Sequence, residues 1–255
     1  MIPFRTAILR IPPDNAGSGL TSANLGSPDP ALLASQHARY RETLESLGLE
    51  VVTLKAEPDF PDSYFPEDVA VVVPEIAVLA RPGAIERRGE PALIEPVLAR
   101  YRKLERIAAP GTLDGGDVLV IGDHCIVGLS ARTNLQGARQ LAGFLSVHGY
   151  RTDIVEVDEG LHLKSSVNAL DDTTVLATQA MAGLDCLDGY RKFQVPEGED
   201  YAANVVAVNR HILAPERFDG TRRMLENGGY DVVVLPVSEI RKMDGGLSCL
   251  SLRLT

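Results

Sequence analysis

The chain has 255 residues, 45% of them hydrophobic and 24% charged, with a formal net charge of −10, the profile of a soluble globular protein with enough sequence for a full core. The acidic balance argues against a nucleic-acid footprint, because phosphate binding needs a basic face. No stretch approaches the roughly 18 apolar residues of a membrane span. The start, MIPFRTAILR, lacks the apolar core of a secretory signal. Three scattered cysteines make no disulfide framework, so a cytoplasmic setting is expected, where a free thiol can be kept for chemistry.

In chain order, Thr6 to Ile11 reads as a first strand. Pro12 to Pro28 is a long loop of small and polar residues that includes Gly17-Ser18-Gly19-Leu20; its length suits a mobile lid or a plain surface loop. Ala31 to Leu47 has helical apolar spacing, started by Asp29-Pro30 and stopped by Gly48. Glu50 to Leu54 is a short strand. A hairpin pattern then recurs: Asp68 opens VAVVV, Asp117 opens VLVIG, Ser166 opens VNAL, Asn204 opens VVAV and Cys249 opens LSLRL. The openings lie 38 to 49 residues apart, a regularity that signals a repeat architecture.

Between hairpins comes a helix and then a strand: Glu90 to Tyr101 then Leu104 to Ala108, Thr133 to His148 then Thr152 to Val157, and Pro215 to Asn227 then Val232 to Val237. The fourth unit has the weakest helix, around Met181 to Tyr190. The pattern predicts one α/β domain over residues 1–255, a ring of about five ββαβ units closed by pairing Leu250 to Leu254 with Thr6 to Ile11, which removes exposed edges. A doubly wound open sheet would alternate single strands with helices instead. In the ring, Asp68, Asp117, Ser166, Asn204 and Cys249 all lie near the axis.

An isolated cysteine is ordinary core. Cys249 differs, because Asp244-Gly245-Gly246 precedes it and lets another molecule approach the backbone closely. A thiol needs a base or cation nearby to act as a nucleophile. His162, in the extended segment LHLKSSVN, is the best-placed histidine for general acid and base work. In Asp114-Gly115-Gly116-Asp117, either aspartate could orient His162 or a cationic substrate, or simply hold a turn. Asp62, Glu67 and Asp68, with Phe65 between them, form an acidic cluster that a guanidinium would relieve through bidentate hydrogen bonds. A metal would relieve it too, but there is no dense ligand pattern such as HExxH or CxxC. Arg87-Arg88 and Arg132 are surface charges or binders of a carboxylate.

The stretches FPDSYFPEDVAVV, RPGAIERRGE, APGTLDGGDV, GLSARTN, GLHLKS, YAANVVAVN and RKMDGGLSCLSLR, in that order from about residue 60 to the end, resemble the dimethylarginine dimethylaminohydrolases of the guanidino-group-modifying superfamily. The resemblance implies a five-bladed α/β propeller, the pentein fold. It implies Cys249 as nucleophile, His162 as general acid/base and Asp114, where some members carry Glu, as the carboxylate of the triad. It also implies Asp62, Phe65, Glu67, Asp68 and Ser165 around the substrate, Arg87 and Arg132 on its carboxylate, and Leu20 in the lid. The implied reaction releases citrulline and an amine from methylated arginine without metal or organic cofactor, with no nucleic-acid or membrane partner and a homodimer among the expected assemblies. The competing expectations are an arginine deiminase, usually longer by a helical domain, and a non-catalytic propeller similar to a ribosome anti-association factor.

Overall fold

The computed structural model describes residues 3–157 and 160–255. Among them, fifteen strands form five three-stranded sheets. The chain opens with β1 (Thr6–Arg10), helix α1 (Pro30–Ser46) and β2 (Glu50–Leu54), with β1 and β2 parallel. The second sheet holds β3 (Ala70–Val72), β4 (Ile76–Leu79), helix α2 (Glu90–Leu98) and β5 (Lys103–Arg106). The third holds β6 (Val118–Ile121), β7 (His124–Leu129), helix α3 (Leu135–Ser146) and β8 (Arg151–Glu156). Strands β9 (Val167–Ala169), β10 (Thr174–Ala177) and β11 (Arg191–Gln194) make the fourth; β12 (Val206–Val208), β13 (His211–Pro215), helix α4 (Asp219–Asn227) and β14 (Asp231–Leu235) make the fifth. After helix α5 (Ser238–Arg241), strand β15 (Leu252–Leu254) returns to the first sheet and pairs antiparallel with β1, Thr6 opposite Leu254 and Ile8 opposite Leu252. In every sheet the middle strand is antiparallel to one neighbour and parallel to the other, so the expected ring of repeated units and its closing pair are both present.

Five apolar clusters lie between neighbouring blades rather than in one central core. Ile8, Leu79, Ile94 and Leu252 join the first two blades, and Val78, Val127 and Leu141 the next two. Leu119, Val167 and Val175 join the third blade to the fourth, and Leu176, Ile212 and Leu225 the fourth to the fifth. The last cluster packs Leu33, Tyr40 and Leu44 of α1 against Leu213, Leu235 and Ile240; their helical spacing defines the buried face of α1. Full burial of each large apolar side chain contributes about 1.5–3 kcal/mol. With the apolar residues between blades, the axis is left to polar ones.

A single turn of 3-10 helix precedes each first strand: Pro66–Val69, Gly115–Asp117, Leu163–Ser165, Asp200–Ala203 and Ser248–Leu250. The axial residues therefore sit in or beside these turns, and the strand after Cys249 begins at Leu252 rather than Leu250. Such turns are too short to leave a periodic trace in sequence. The fourth unit has no α-helix: Met181 to Tyr190 contains only the turn Asp185–Leu187, consistent with two glycines and two aspartates that disfavour helix. Helix α4 starts at Asp219 because Pro215 still belongs to β13, opposite Leu235. No helix of the described residues is long and apolar enough to cross a membrane.

Candidate active site

The acidic side of the site comes from the second blade. The turn Pro66–Val69 buries Glu67 and Asp68, and the preceding loop buries Asp62 and Phe65. Asp68 accepts from Arg87 Nη1 at 2.5 Å and from the Gly116 amide at 3.1 Å. Glu67 Oε1 lies 2.8 Å from Lys164 Nζ and 3.2 Å from Arg253 Nη2. Both Asp62 oxygens accept from the Leu20 amide, at 3.2 and 3.0 Å. The loop of Leu20 is further pinned by Thr21 Oγ1, which donates to the Lys242 carbonyl, and by the Ser22 amide, which donates to Asp244. The segment read as a lid or a plain surface loop thus lines the pocket through Leu20.

Asp114 and Asp117 divide the tasks that were open between them. Asp114 is fully buried, accepts from the Gly83 amide at 2.9 Å and stands 3.1 Å from His162 Nε2. Asp117 instead accepts from Ser130 Oγ, Thr133 Oγ1 and the Leu163 amide, fastening the turn that follows His162. With Nε2 engaged, Nδ1 is the His162 atom left for chemistry; its nearest acid is Asp68, 3.9 Å away. Gly116 makes room for the ring, since a Cβ there would meet Nδ1 at 2.6 Å.

Cys249 sits in the turn Ser248–Leu250 and is half-buried. Its amide donates to the Gly246 carbonyl at 3.3 Å, and Ser248 Oγ lies 4.0 Å from its sulfur. A small pocket gathers Leu20, Asp62, Phe65, Asp68, Arg87, Arg132, His162 and Cys249. Beyond the thiol, a cleft of about 1010 Å³ shares Cys249, His162 and Glu67 and adds Ser165. Behind the site, a cavity of about 510 Å³ is lined by Arg253, and by Glu67 and Lys164, which also line the cleft.

The two arginines differ. Arg87 is buried and its donors are taken: Nε and Nη2 meet Glu90 at 2.9 and 2.8 Å, Nη1 meets Asp68, and Nη2 also reaches the Asp62 and Phe65 carbonyls. Arg132 is partly exposed and approaches Asp114 at 3.9 Å. Asp68, Asp114 and His162 hold ligand atoms within 4.8 Å of one another, close enough for a metal ion. Protein partners already account for all three, through Arg87, Gly116, Gly83 and the His162–Asp114 bond.

A family model described as arginine deiminase matches residues 56–187. The chain is 39% identical over 98% of its length to the N(G),N(G)-dimethylarginine dimethylaminohydrolase of Pseudomonas aeruginosa, 99% of which is covered. It is 36% identical to that of Streptomyces coelicolor, over 99% of this chain and 98% of the relative. The solved C249S mutant of the Pseudomonas enzyme, complexed with citrulline, superimposes with a TM-score of 0.97 at 38% identity, covering 99% of this chain and 100% of that one. The chain belongs to the dimethylarginine dimethylaminohydrolase family.

In this family member the charges of the site are strongly perturbed. Burial, reinforced by Asp68 and Glu67, pushes the Cys249 thiol up to about 12, against the Gly246 hydrogen bond and Lys164. Burial disfavours the His162 imidazolium, but Asp68, the Asp114 hydrogen bond and Asp117 together raise it to about 9. Asp68 is held below its ordinary value: burial works against its charge, and His162 and Arg87 outweigh it. At neutral pH the site therefore rests as a neutral thiol beside a protonated imidazole. Alkylation of Cys249 by neutral iodoacetamide should keep rising between roughly pH 7 and 10. A cationic haloacetamidine brings its own counter-charge and should react at neutral pH at least ~10-fold faster. A neutral-reagent rate already flat at pH 7 would show a resting thiolate instead.

Sequence reasoning missed Lys164, Glu90 and Arg253, the counter-ions that hold the acidic cluster and Arg87. Lys164 stands two residues after His162, and Arg253 alternates with the buried Leu252 and Leu254. Both positions carried a signal.

Proposed function

We propose that this chain hydrolyses Nω-methylated arginines, asymmetric dimethylarginine among them, to citrulline and methylamine or dimethylamine. The reading rests chiefly on one observation: the Cys249 thiol and His162, itself held by Asp114 from behind, line the same small pocket as the buried carboxylates Asp62 and Asp68, which can receive a guanidinium. Two solved structures support it: the P. aeruginosa C249S complex with citrulline, and a dimethylarginine dimethylaminohydrolase H162G adduct with S-methyl-L-thiocitrulline.

A guanidinium bound between Asp62, Glu67 and Asp68 places positive charge beside Cys249, which favours the thiolate just where it is needed. The thiol proton passes to solvent, and the thiolate adds to the central guanidinium carbon. His162, already protonated, gives its proton from Nδ1 to the departing amine as the carbon–nitrogen bond breaks, leaving an S-alkylthiouronium. The now neutral His162 takes a proton from water as the oxygen adds to the same carbon. The carbon–sulfur bond then breaks as the added oxygen gives its remaining proton to solvent, which releases citrulline and the Cys249 thiolate and leaves His162 protonated for the next cycle. Asp114 keeps the imidazole oriented throughout, and the chemistry needs side chains and water alone.

Arg132 receives the substrate carboxylate, with Leu20 over it and Ser165 at the wide cleft. Arg87 acts on the substrate through Asp68 and the Phe65 carbonyl. Every residue named comes from one chain, so a second copy is not needed to complete the site. A reducing cytoplasm suits the free thiols.

The test is the leaving group. Incubation with asymmetric dimethylarginine should yield citrulline and dimethylamine in equal amounts, with plain arginine the poorer substrate. Faster ammonia release from arginine would replace this reading with a deiminase.

A further inference from the structure

Glu67 carries its two cations on one oxygen. Oε1 meets Lys164 Nζ at 2.8 Å and Arg253 Nη2 at 3.2 Å, whereas Oε2 is buried with no hydrogen-bond partner among the described residues. A buried acceptor without a donor costs free energy, and the arrangement is stabilised when a ligand brings the donor. Arg253 also does something that Lys164 does not. Its Nη1 donates to the Ser248 carbonyl at 3.3 Å, the Ser251 carbonyl at 3.1 Å and Ser251 Oγ at 3.0 Å, so it grips the chain on both sides of Cys249. Ser251 Oγ is held in turn by the fully buried Tyr40, 2.8 Å away. The Arg253 side chain is only 16% exposed.

We propose that Arg253 is a positioning residue of the reaction: its guanidinium ties the turn bearing the nucleophile to Glu67 and, with Lys164, occupies Oε1 so that Oε2 is presented to the substrate guanidinium beside the thiol. A planar fork with several donors spans the turn and the carboxylate at once, where an ammonium is a point charge. Without it, Glu67 is free to turn both oxygens toward Lys164, and the Ser248–Leu250 turn loses its tie. The inference rests on the roles of Cys249 and Glu67 proposed above. The charged and titratable groups that share the pocket or cleft with the thiol, or act on it from beside, include Asp62, Glu67, Asp68, Arg87, Arg132, His162, Lys164, Asp200, Arg241, Asp244, Tyr64 and Tyr201, and Arg253 acts on it through Glu67.

The test compares Arg253→Met and Arg253→Lys with the unaltered enzyme for KM and kcat on dimethylarginine, and for the pH dependence of Cys249 alkylation by iodoacetamide. Arg253→Met should raise KM by about 10-fold or more and displace the alkylation curve to higher pH, because one of the two cations facing Glu67 is gone. Arg253→Lys should return the alkylation curve toward that of the unaltered enzyme while KM stays high, since charge is restored and the fork is not. A role in stability alone would lower the unfolding temperature and the active fraction without moving KM or the curve, and that result overturns the proposal. Should Arg253→Met not fold, the KM of Arg253→Lys decides: a value within about twofold of the unaltered enzyme sinks it. The alkylation curve needs no substrate, so its displacement in an enzyme that does not hydrolyse methylarginine would reject the functional reading and leave the role of Arg253 standing.

Discussion

A Cys249→Ser variant should bind dimethylarginine and turn over essentially none of it, with kcat reduced by more than about 10⁴-fold, the order seen when a covalent nucleophile is removed. The reason lies in the site's electrostatics. A bound guanidinium lowers the cost of ionising a thiol by a few pH units, which is enough for sulfur and far from enough for a serine hydroxyl. His162 offers no substitute base, because its carboxylate neighbours keep it protonated at neutral pH. Citrulline formation measured beside substrate binding by calorimetry separates the two functions. Retained turnover in the serine variant would exclude the thiouronium route.

Loss of Arg87 should be the most damaging single change to the fold near the site. Asp68 and Glu90, both buried, meet the same guanidinium, and removal of one partner from such a set costs about 3–5 kcal/mol because it strands a buried charge. An Arg87→Met variant should lose roughly 2–4 °C of unfolding temperature per kcal/mol in a chain of this size. The sign with pH follows from Asp68, whose folded value is depressed. Its contribution is present above its unfolded value near 3.8 and is lost as pH falls through the lower folded one. In the variant the stranded carboxyls take up protons more readily, so the difference between the two proteins should be largest at neutral pH and shrink toward about pH 4. A loss below about 1 kcal/mol at pH 7 would mean that the carboxylates find other partners or protonate there.

The ring was legible in sequence because each hairpin opens on a polar residue and then alternates or runs apolar, a signal repeated five times. Cys249 and His162 stood out for chemical reasons; the residues alone left Asp114 and Asp117 open, the resemblance pointed to Asp114, and the structure brings Asp114 rather than Asp117 onto the imidazole. The ion pairs were not legible. Arg87 read as a free binder of carboxylate because nothing in RPGAIERRGE says that Glu90 and Asp68 will close around it. Lys164 and Arg253 drew no reading of their own: their positions in the chain were suggestive, but their shared partner, Glu67, lies in another blade and about 100 to 190 residues away in sequence. The fourth helix failed for a local reason, its glycines and aspartates, and the sheet formed without it.

The pairing of β15 with β1 carries one more consequence. Thr6 and Leu254 are partners across nearly the whole chain, so the ring shuts only when its last strand docks beside its first. That contact is among the least local a chain of this length can make, and closure of such pairings is slow compared with the hairpins that precede it. Cys249 precedes β15 by only a few residues. The thiol therefore reaches its pocket in the same event that seals the ring, and a partly folded chain with four good blades has no assembled nucleophile. Catalytic competence during refolding should then trail the recovery of secondary structure, which makes turnover itself a clock for ring closure.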